Sequence, residues 1–177
     1  QLQHEVRDRL IAQTQLQQFS DRLKQLHRLN TQHYPDLASR FQAYLVAGCE
    51  SLGLSTGLVT RLQNADYVVD AIYSNQSELY PNLIFNLSNT YGNLVVREQR
   101  TIARDRIDDD PQLHPTAFYQ KFKFETYLGT PLWVDGKIYG MLEFAATEPR
   151  ARSFCAEDIE LIELMSQTLA KIIATHQ

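Results

Sequence analysis

Two cysteines and a run of three aspartates close to a histidine are the residues of this sequence that could act as nucleophiles or hold a metal. A catalytic thiol needs a lowered pKa and a partner group close by. Cys49 lies on an apolar helical stripe, where a thiol is usually an inert core side chain. Cys155 precedes a long helical pattern, so a helix N-terminus could lower its pKa, but no suitable partner is near it in the sequence. We therefore expect neither thiol catalysis nor a disulfide framework, which fits a reducing, cytoplasmic compartment.

The acidic run Asp108–Asp110 is the only other chemical candidate of note. Three adjacent carboxylates in an extended loop cannot all face one ion, and they lack the alternating spacing of a calcium loop. The pattern predicts a solvated loop and no metal site. His114 precedes Pro115, where it would support the turn, and it is the best candidate for an imidazole that faces a pocket.

Composition excludes several kinds of partner. With 177 residues, 44% hydrophobic and 21% charged, the chain is typical of one globular domain with helical extensions. The net charge of −4 and the scattered cations argue against a nucleic-acid surface. No apolar run is long enough to span a membrane, and no signal-peptide pattern is present. The chain begins with Gln1, so we expect it to be a piece of a longer protein.

Any such side chains must be positioned by the elements around them, and the clearest of these elements is a hairpin at 127–144. Asp135-Gly136 is a pair that a type I′ turn requires, with apolar runs on both sides. With that turn in place, the sequence predicts the pairs Trp133 with Ile138, Pro131 with Gly140, Gly129 with Leu142 and Tyr127 with Phe144. Neither face is plainly polar, which is typical of central strands covered on both sides.

Helical patterns flank the strands. Residues 2–29 contain neither Gly nor Pro, and a 3-4-3 seam there is compatible with a coiled coil or with a helix packed on its own domain. A second helix begins after Asp36 and ends at Gly53, and a long closing helix covers 153–175 with a second 3-4-3 stripe. Strands are expected at 56–63, 67–73, 83–87 and about 101–104, with short helices after Ser88 and at 116–122. This order predicts an α+β fold, with a helical linker at 1–33 and a domain at 34–177.

Three segments resemble one family. Residues 122–144 are similar to the core hairpin of a GAF domain, 149–158 to its last loop and helix, and 49–57 to its first junction between helix and strand. The resemblance covers about 34–175 and is strongest to GAF domains of bacterial, phytochrome-related sensor histidine kinases and hybrid kinases. It implies a central antiparallel sheet with the terminal helices on one face and small helices and loops on the other.

The resemblance also implies a function. Domains of this kind bind a small molecule in a pocket on one side of the sheet, dimerise through their terminal helices and pass a signal along them to neighbouring domains of the same chain. It places the candidate ligand-binding residues at Tyr91, Arg104, His114, Tyr119 and Phe122. It places the candidate dimer interface at Leu16, Phe19, Leu23 and Leu26, and at Ile162, Met165, Leu169 and Ile172.

The family's specialised chemistries match this sequence poorly. Similar photosensors attach a bilin to a Cys beside a His in the short helix ahead of the hairpin, but 114–120 contains His114 and no Cys, so no covalent bilin is expected. The cyclic-nucleotide motif is reduced to Phe154 and Asp158, because Ile159 replaces its second acid. We therefore expect a non-catalytic sensory domain with an unidentified ligand. A chromophore- or redox-sensing domain and a purely structural dimerisation module are the alternatives.

Overall fold

A computed structural model describes residues 1–177, which form two units, 1–33 and 34–177. The first unit is one helix, α1 (Leu2–Thr31). Several of its apolar side chains are exposed to solvent, among them Val6, Leu10, Leu16 and Leu23. None of the helices of the chain is long and apolar enough to cross a membrane.

The second unit is built on a six-stranded sheet in the order β3-β2-β1-β6-β5-β4, with every pair of neighbours antiparallel. Its strands are β1 (Thr56–Gln63), β2 (Asp66–Tyr73), β3 (Ile84–Asn86), β4 (Ile102–Arg104), β5 (Thr126–Val134) and β6 (Lys137–Ala146). This is the α+β architecture that the sequence predicts.

Two long helices cover one face of the sheet, which we call the helix face. α2 (Leu37–Leu52) begins where the Asp36 side chain accepts a hydrogen bond from Ser39 N at 2.7 Å and ends at Gly53. α5 (Ala156–Thr175) begins with a capping box in which Cys155 N donates to the Asp158 carboxylate at 3.1 Å. α2 packs on β1 and β2, and α5 packs chiefly on β5.

The insertion between β3 and β5 (residues 87–125) covers the opposite face, which we call the insertion face. It contains a 3-10 turn at Leu87–Asn89, α3 (Gly92–Glu98), β4, a second 3-10 turn at Ile107–Asp109 and α4 (Ala117–Phe122). A single cluster of buried apolar side chains joins these elements to β1, β2, β5 and β6.

The predicted register of the β5–β6 hairpin is correct only next to its turn. Asp135 and Gly136 have φ of 51° and 75°, as a type I′ turn requires, and Trp133 pairs with Ile138. Leu132, however, pairs with Gly140, because Tyr139 is an extra residue that forms a β-bulge. Beyond the bulge every predicted pair is displaced by one residue.

The displacement changes which side chains share a face. Glu143, not Leu142, lies opposite Gly129, and Phe144 lies opposite Leu128. Since side chains alternate along a strand, Glu143 comes onto the same face as Tyr127.

Candidate functional site

Seven aromatic rings fill the space between the sheet and the insertion. Their centroids lie 4.9–6.1 Å apart in pairs, and most pairs meet edge to face, the arrangement that ring quadrupoles favour. We call this the aromatic cluster; its members are Tyr67, Phe85, Tyr91, Phe118, Phe122, Phe124 and Tyr127.

Glu143 lies within the floor of this cluster and is only 2% exposed. Its Oε1 accepts a hydrogen bond from the Tyr67 hydroxyl at 2.6 Å and a longer one from Thr60 Oγ1 at 3.4 Å. Its Oε2 accepts a hydrogen bond from the Tyr127 hydroxyl. A Cβ on Gly129 would come within 2.1 Å of that hydroxyl. Gly129 therefore leaves the room that the Tyr127 phenol needs to reach the carboxyl group.

The electrostatics of this group are those of a buried carboxyl without a cation. Burial raises the pKa of Glu143, and the hydrogen bonds from Tyr127, Tyr67 and Thr60 oppose that rise. Burial and the nearby Glu143 raise the pKa of both Tyr67 and Tyr127, so both phenols stay protonated and donate. Every hydrogen bond that reaches the carboxyl group comes from a neutral hydroxyl.

Glu125 accepts hydrogen bonds that hold the outer part of the insertion in place. Its carbonyl oxygen accepts a hydrogen bond from Ile107 N at 2.8 Å, and its Oε1 accepts one from Asp108 N at 2.9 Å. Its Oε2 accepts one from the Tyr119 hydroxyl at 2.5 Å. That hydrogen bond is the largest of the effects that raise the pKa of Tyr119 to about 12. One residue thus holds both the second 3-10 turn and α4.

The structure brings the five predicted ligand-binding residues to the insertion, but in two groups. Tyr91 and Phe122 are buried in the aromatic cluster, and the Tyr91 hydroxyl donates to Phe124 O at 2.7 Å. The other three lie at its outer margin. There Arg104 donates to the Asp110 carboxylate at 2.7 Å, and His114 is exposed, with its ring 5.6 Å from that of Tyr119. Although burial opposes it, the Arg104 hydrogen bond and two backbone N–H groups lower the pKa of Asp110.

Sequence reasoning missed the central residue of this site. The available signal was a lone acid in an apolar strand, since Glu143 is flanked by Leu142 and Phe144. The predicted register placed it on the face opposite to Tyr127, which hid the pairing. Tyr67 and Tyr127 gave no signal of their own, because a tyrosine in a strand is more often a packing residue.

Both cysteines lie outside the aromatic cluster. Cys49 is buried on α2, and burial raises the pKa of its thiol to about 12. Cys155 is exposed at the start of α5. Partial desolvation raises its pKa, although the backbone N–H of Asp158 acts in the other direction. The helix N-terminus thus acts in the expected direction, but desolvation and the neighbouring acids outweigh it, so the pKa of Cys155 is raised overall.

The candidate dimer residues divide between the two terminal helices. On α1, Leu16 is 69% and Leu23 40% exposed, whereas Phe19 is half-buried and Leu26 is buried. The α5 stripe is occupied by this chain's own core, because α5 turns that face toward the sheet and its four side chains, Ile162, Met165, Leu169 and Ile172, are at most 9% exposed. This corrects their assignment to a dimer surface, and a contact between two chains through α5 would have to use its other side chains.

Comparison with known proteins gives a consistent picture of the fold. The model of the family described as GAF domain matches residues 36–173. A GAF domain of an Acinetobacter phosphoenolpyruvate-protein phosphotransferase is similar with a TM-score of 0.73 and 15% identity, over 90% of this chain and 94% of that one.

Two other solved structures come from proteins of different activity. The chromophore-binding domain of Stigmatella aurantiaca bacteriophytochrome has a TM-score of 0.68 and 15% identity, over 90% of this chain and 60% of that one. The free methionine-R-sulfoxide reductase from Neisseria meningitidis, in complex with its substrate, has a TM-score of 0.64 and 12% identity, over 80% and 81%. At such identities the likeness extends to the fold alone. No curated protein matches the sequence.

Proposed function

This chain belongs to the GAF domain family, and from that premise we propose that it is the non-catalytic sensory domain of a cytoplasmic bacterial signalling protein, with a sensor histidine kinase as its setting. Its input is a small molecule bound non-covalently at the insertion face. Its output passes through the terminal helices of a homodimer to neighbouring domains of the same chain.

The observation that carries this proposal is Glu143 in the floor of the aromatic cluster. Moving a charged carboxyl group out of water costs several kcal/mol unless an opposite charge and hydrogen bonds compensate for the lost hydration. A protein in which well-packed apolar residues replace such a buried charge is often equally stable or more stable. A core that served packing alone would gain nothing from an acid there. Buried titratable groups among aromatic side chains are typical of binding sites.

The positions of the cysteines support a non-catalytic domain. Thiol-based reduction needs a reactive thiolate beside the substrate. Cys49 is buried on the helix face with a raised pKa, and Cys155 begins α5. Neither residue is a member of the cluster that surrounds Glu143.

The β5–β6 hairpin provides a physical route from input to output. Tyr127 and Glu143 point to the insertion face, while Leu128 and Leu142, their neighbours along the same strands, point to the helix face. α5 packs on β5. A ligand that moves the hairpin therefore changes the surface on which α5 rests, and a few kcal/mol of differential binding suffices to shift a two-state helical arrangement.

A structural dimerisation module is the second candidate, and the filled aromatic cluster favours it. Rings such as Tyr91 and Phe124 are fully buried by their neighbours in this structure. If the domain is such a module, no small molecule binds in the aromatic cluster, and the domain only holds the helices of two chains together.

Thermal unfolding with a panel of metabolites, together with native mass spectrometry and an absorption spectrum, separates these candidates. A ligand at a hundred times its Kd stabilises the folded state by about 2.7 kcal/mol, which raises the Tm of a domain of this size by roughly 5–10 °C. We expect such a shift, and a smaller one in Glu143→Gln. A Tm that no metabolite moves supports the structural module, and a visible absorption band supports a chromophore domain.

A further inference from the structure

The hydroxyl groups around Glu143 leave several oxygen lone pairs free. A carboxylate offers about four acceptor sites. Two phenol hydroxyls occupy two of them, and Thr60 Oγ1 shares its one hydrogen between Glu143 Oε1 and Met141 O, each at 3.4 Å. The Tyr67 and Tyr127 hydroxyls each donate their one hydrogen to the carboxyl group, so their own oxygens can still accept. Oxygen acceptors from three side chains thus converge on one buried place where no protein cation is bound.

The surroundings of this place favour a positive charge attached to an apolar body. Protonated amines are attracted to carboxylates and to the faces of tyrosine rings. An anion would meet the Glu143 carboxylate at close range in a medium of low dielectric constant, and would be repelled. The seven rings of the cluster would surround the apolar part of the ligand.

Phe118 occupies the centre of the cluster and packs against Tyr67, whose hydroxyl donates to Glu143. Its ring lies 6.1 Å from that of Tyr67, 5.1 Å from that of Tyr91 and 5.9 Å from that of Phe124. It belongs to α4, a helix of only six residues. Beyond its ring contacts, α4 is held to the sheet side through the hydrogen bond from Tyr119 to Glu125. A ligand that enters the filled cluster must therefore take the volume of a ring, and Phe118 is a central ring carried by this short segment.

From these observations we propose that the insertion face binds a primary amine in its ammonium form, with the nitrogen between Glu143, Tyr67 and Tyr127 and its apolar body in the place of the Phe118 ring. The inference rests on the proposed function, since it names the chemical class of the molecule that the sensory domain binds.

The test compares matched probes of the same size in a variant with the ring removed. Phe118→Ala opens the space without the need for α4 to move, and the probes are benzylammonium, benzyl alcohol and benzoate, measured by titration calorimetry. We expect benzylammonium to bind at least tenfold more tightly than benzyl alcohol, and benzoate not to bind. Adding Glu143→Gln, which keeps the shape of the side chain, should reduce that tenfold preference to less than about threefold. Equal binding of amine and alcohol, or a preference that survives Glu143→Gln, overturns the proposal.

A second measurement covers the case in which Phe118→Ala does not fold. In the wild-type chain, the carboxyl-carbon NMR resonance that disappears in Glu143→Gln should shift on titration with benzylammonium and not with benzyl alcohol. A resonance that neither probe moves overturns the proposal.

The metabolite screen distinguishes failure of this inference from failure of the proposed function. A neutral or anionic metabolite that stabilises wild-type and Glu143→Gln protein equally leaves the sensory function standing and overturns the amine. If no metabolite binds the wild-type chain but Phe118→Ala keeps its tenfold amine preference, the charge chemistry of the site is supported and the sensory function is not.

Discussion

Glu143 is the residue at which the requirements of folding and the proposed function oppose each other most directly. Its carboxyl group is satisfied by hydroxyls and not by a cation, so its charge is stabilised only in part. Because burial raises its pKa above the ordinary 4.5, the folded chain binds this proton more tightly than the unfolded chain does. Stability contributed by the protonated form is therefore present below pH 4.5 and is lost as pH rises through the folded pKa.

Replacing Glu143 by Gln should remove this dependence on pH. Between pH 4 and pH 9 the variant should gain stability relative to the wild-type chain, by about 1.4 kcal/mol for each unit by which the folded pKa exceeds its ordinary value. Urea unfolding at a series of pH values measures the difference. Glu78→Gln, at an exposed residue, is the control and should run parallel to the wild-type chain. A parallel curve for Glu143→Gln as well would mean that the carboxyl group is not desolvated in solution.

At the scale of elements, the bulge at Tyr139 decides what the hairpin presents to each side. It brings Glu143 opposite Gly129 and sets Gly140 against β1. A Cβ on Gly140 would lie 1.8 Å from the Thr60 carbonyl oxygen, a backbone atom that cannot rotate away. Gly140 therefore makes room for a strand, not for a ligand or a helix.

Gly140→Ala should destabilise the domain by more than about 3 kcal/mol, because β1 and β6 would have to separate. Gly136→Ala is the matched control. Its Cβ would meet nothing within 4 Å, but its φ is 75°, and a left-handed alanine costs about 1–2 kcal/mol. Chemical denaturation of both variants measures the two costs. Similar values would show that β1 yields to the added methyl group.

Sequence reasoning succeeded where the signals are local and failed where they depend on register. Asp135-Gly136 carries the turn in its own φ preferences, and Asp36 and Gly53 mark the ends of α2 in the same way. The extra residue at Tyr139 has no such signature, because its accommodation depends on β1, which pairs with β6 from far away in the sequence. The five candidate ligand-binding residues that the resemblance implied all lie in the insertion. The buried acid was not among them, because the unpredicted bulge at Tyr139 exchanges the faces of β6.

At the scale of the whole molecule, one face of the sheet bears the insertion and the other bears the two long helices. The stripe on α5 is used by the domain's own core. Any association of two chains along a predicted seam therefore depends on α1, where Leu16 and Leu23 are exposed. Exposed leucines at seven-residue spacing are typical of a coiled-coil seam.

Leu16→Glu combined with Leu23→Glu should convert a dimer to a monomer in sedimentation velocity, because like charges would face each other across the seam. Both residues are exposed, so the thermal stability of the 34–177 unit should be unchanged. Gln17→Glu with Gln18→Glu adds the same charge at exposed positions off the seam and should leave the dimer intact. A wild-type chain that sediments as a monomer contradicts the proposed dimer.

The bulge also determines how this gene can change in length. If the codon for Tyr139 were lost, Ile138 and Gly140 would follow each other directly, opposite Trp133 and Leu132 as they are now. Glu143 would stay beside Tyr127. Because only glycine fits against β1 at position 140, a codon lost between Gly140 and Glu143 would instead carry the acid to the helix face. Lineages of this domain can therefore drift in hairpin length at this one position while keeping the acid in place, and an alignment of its relatives should open its gap there.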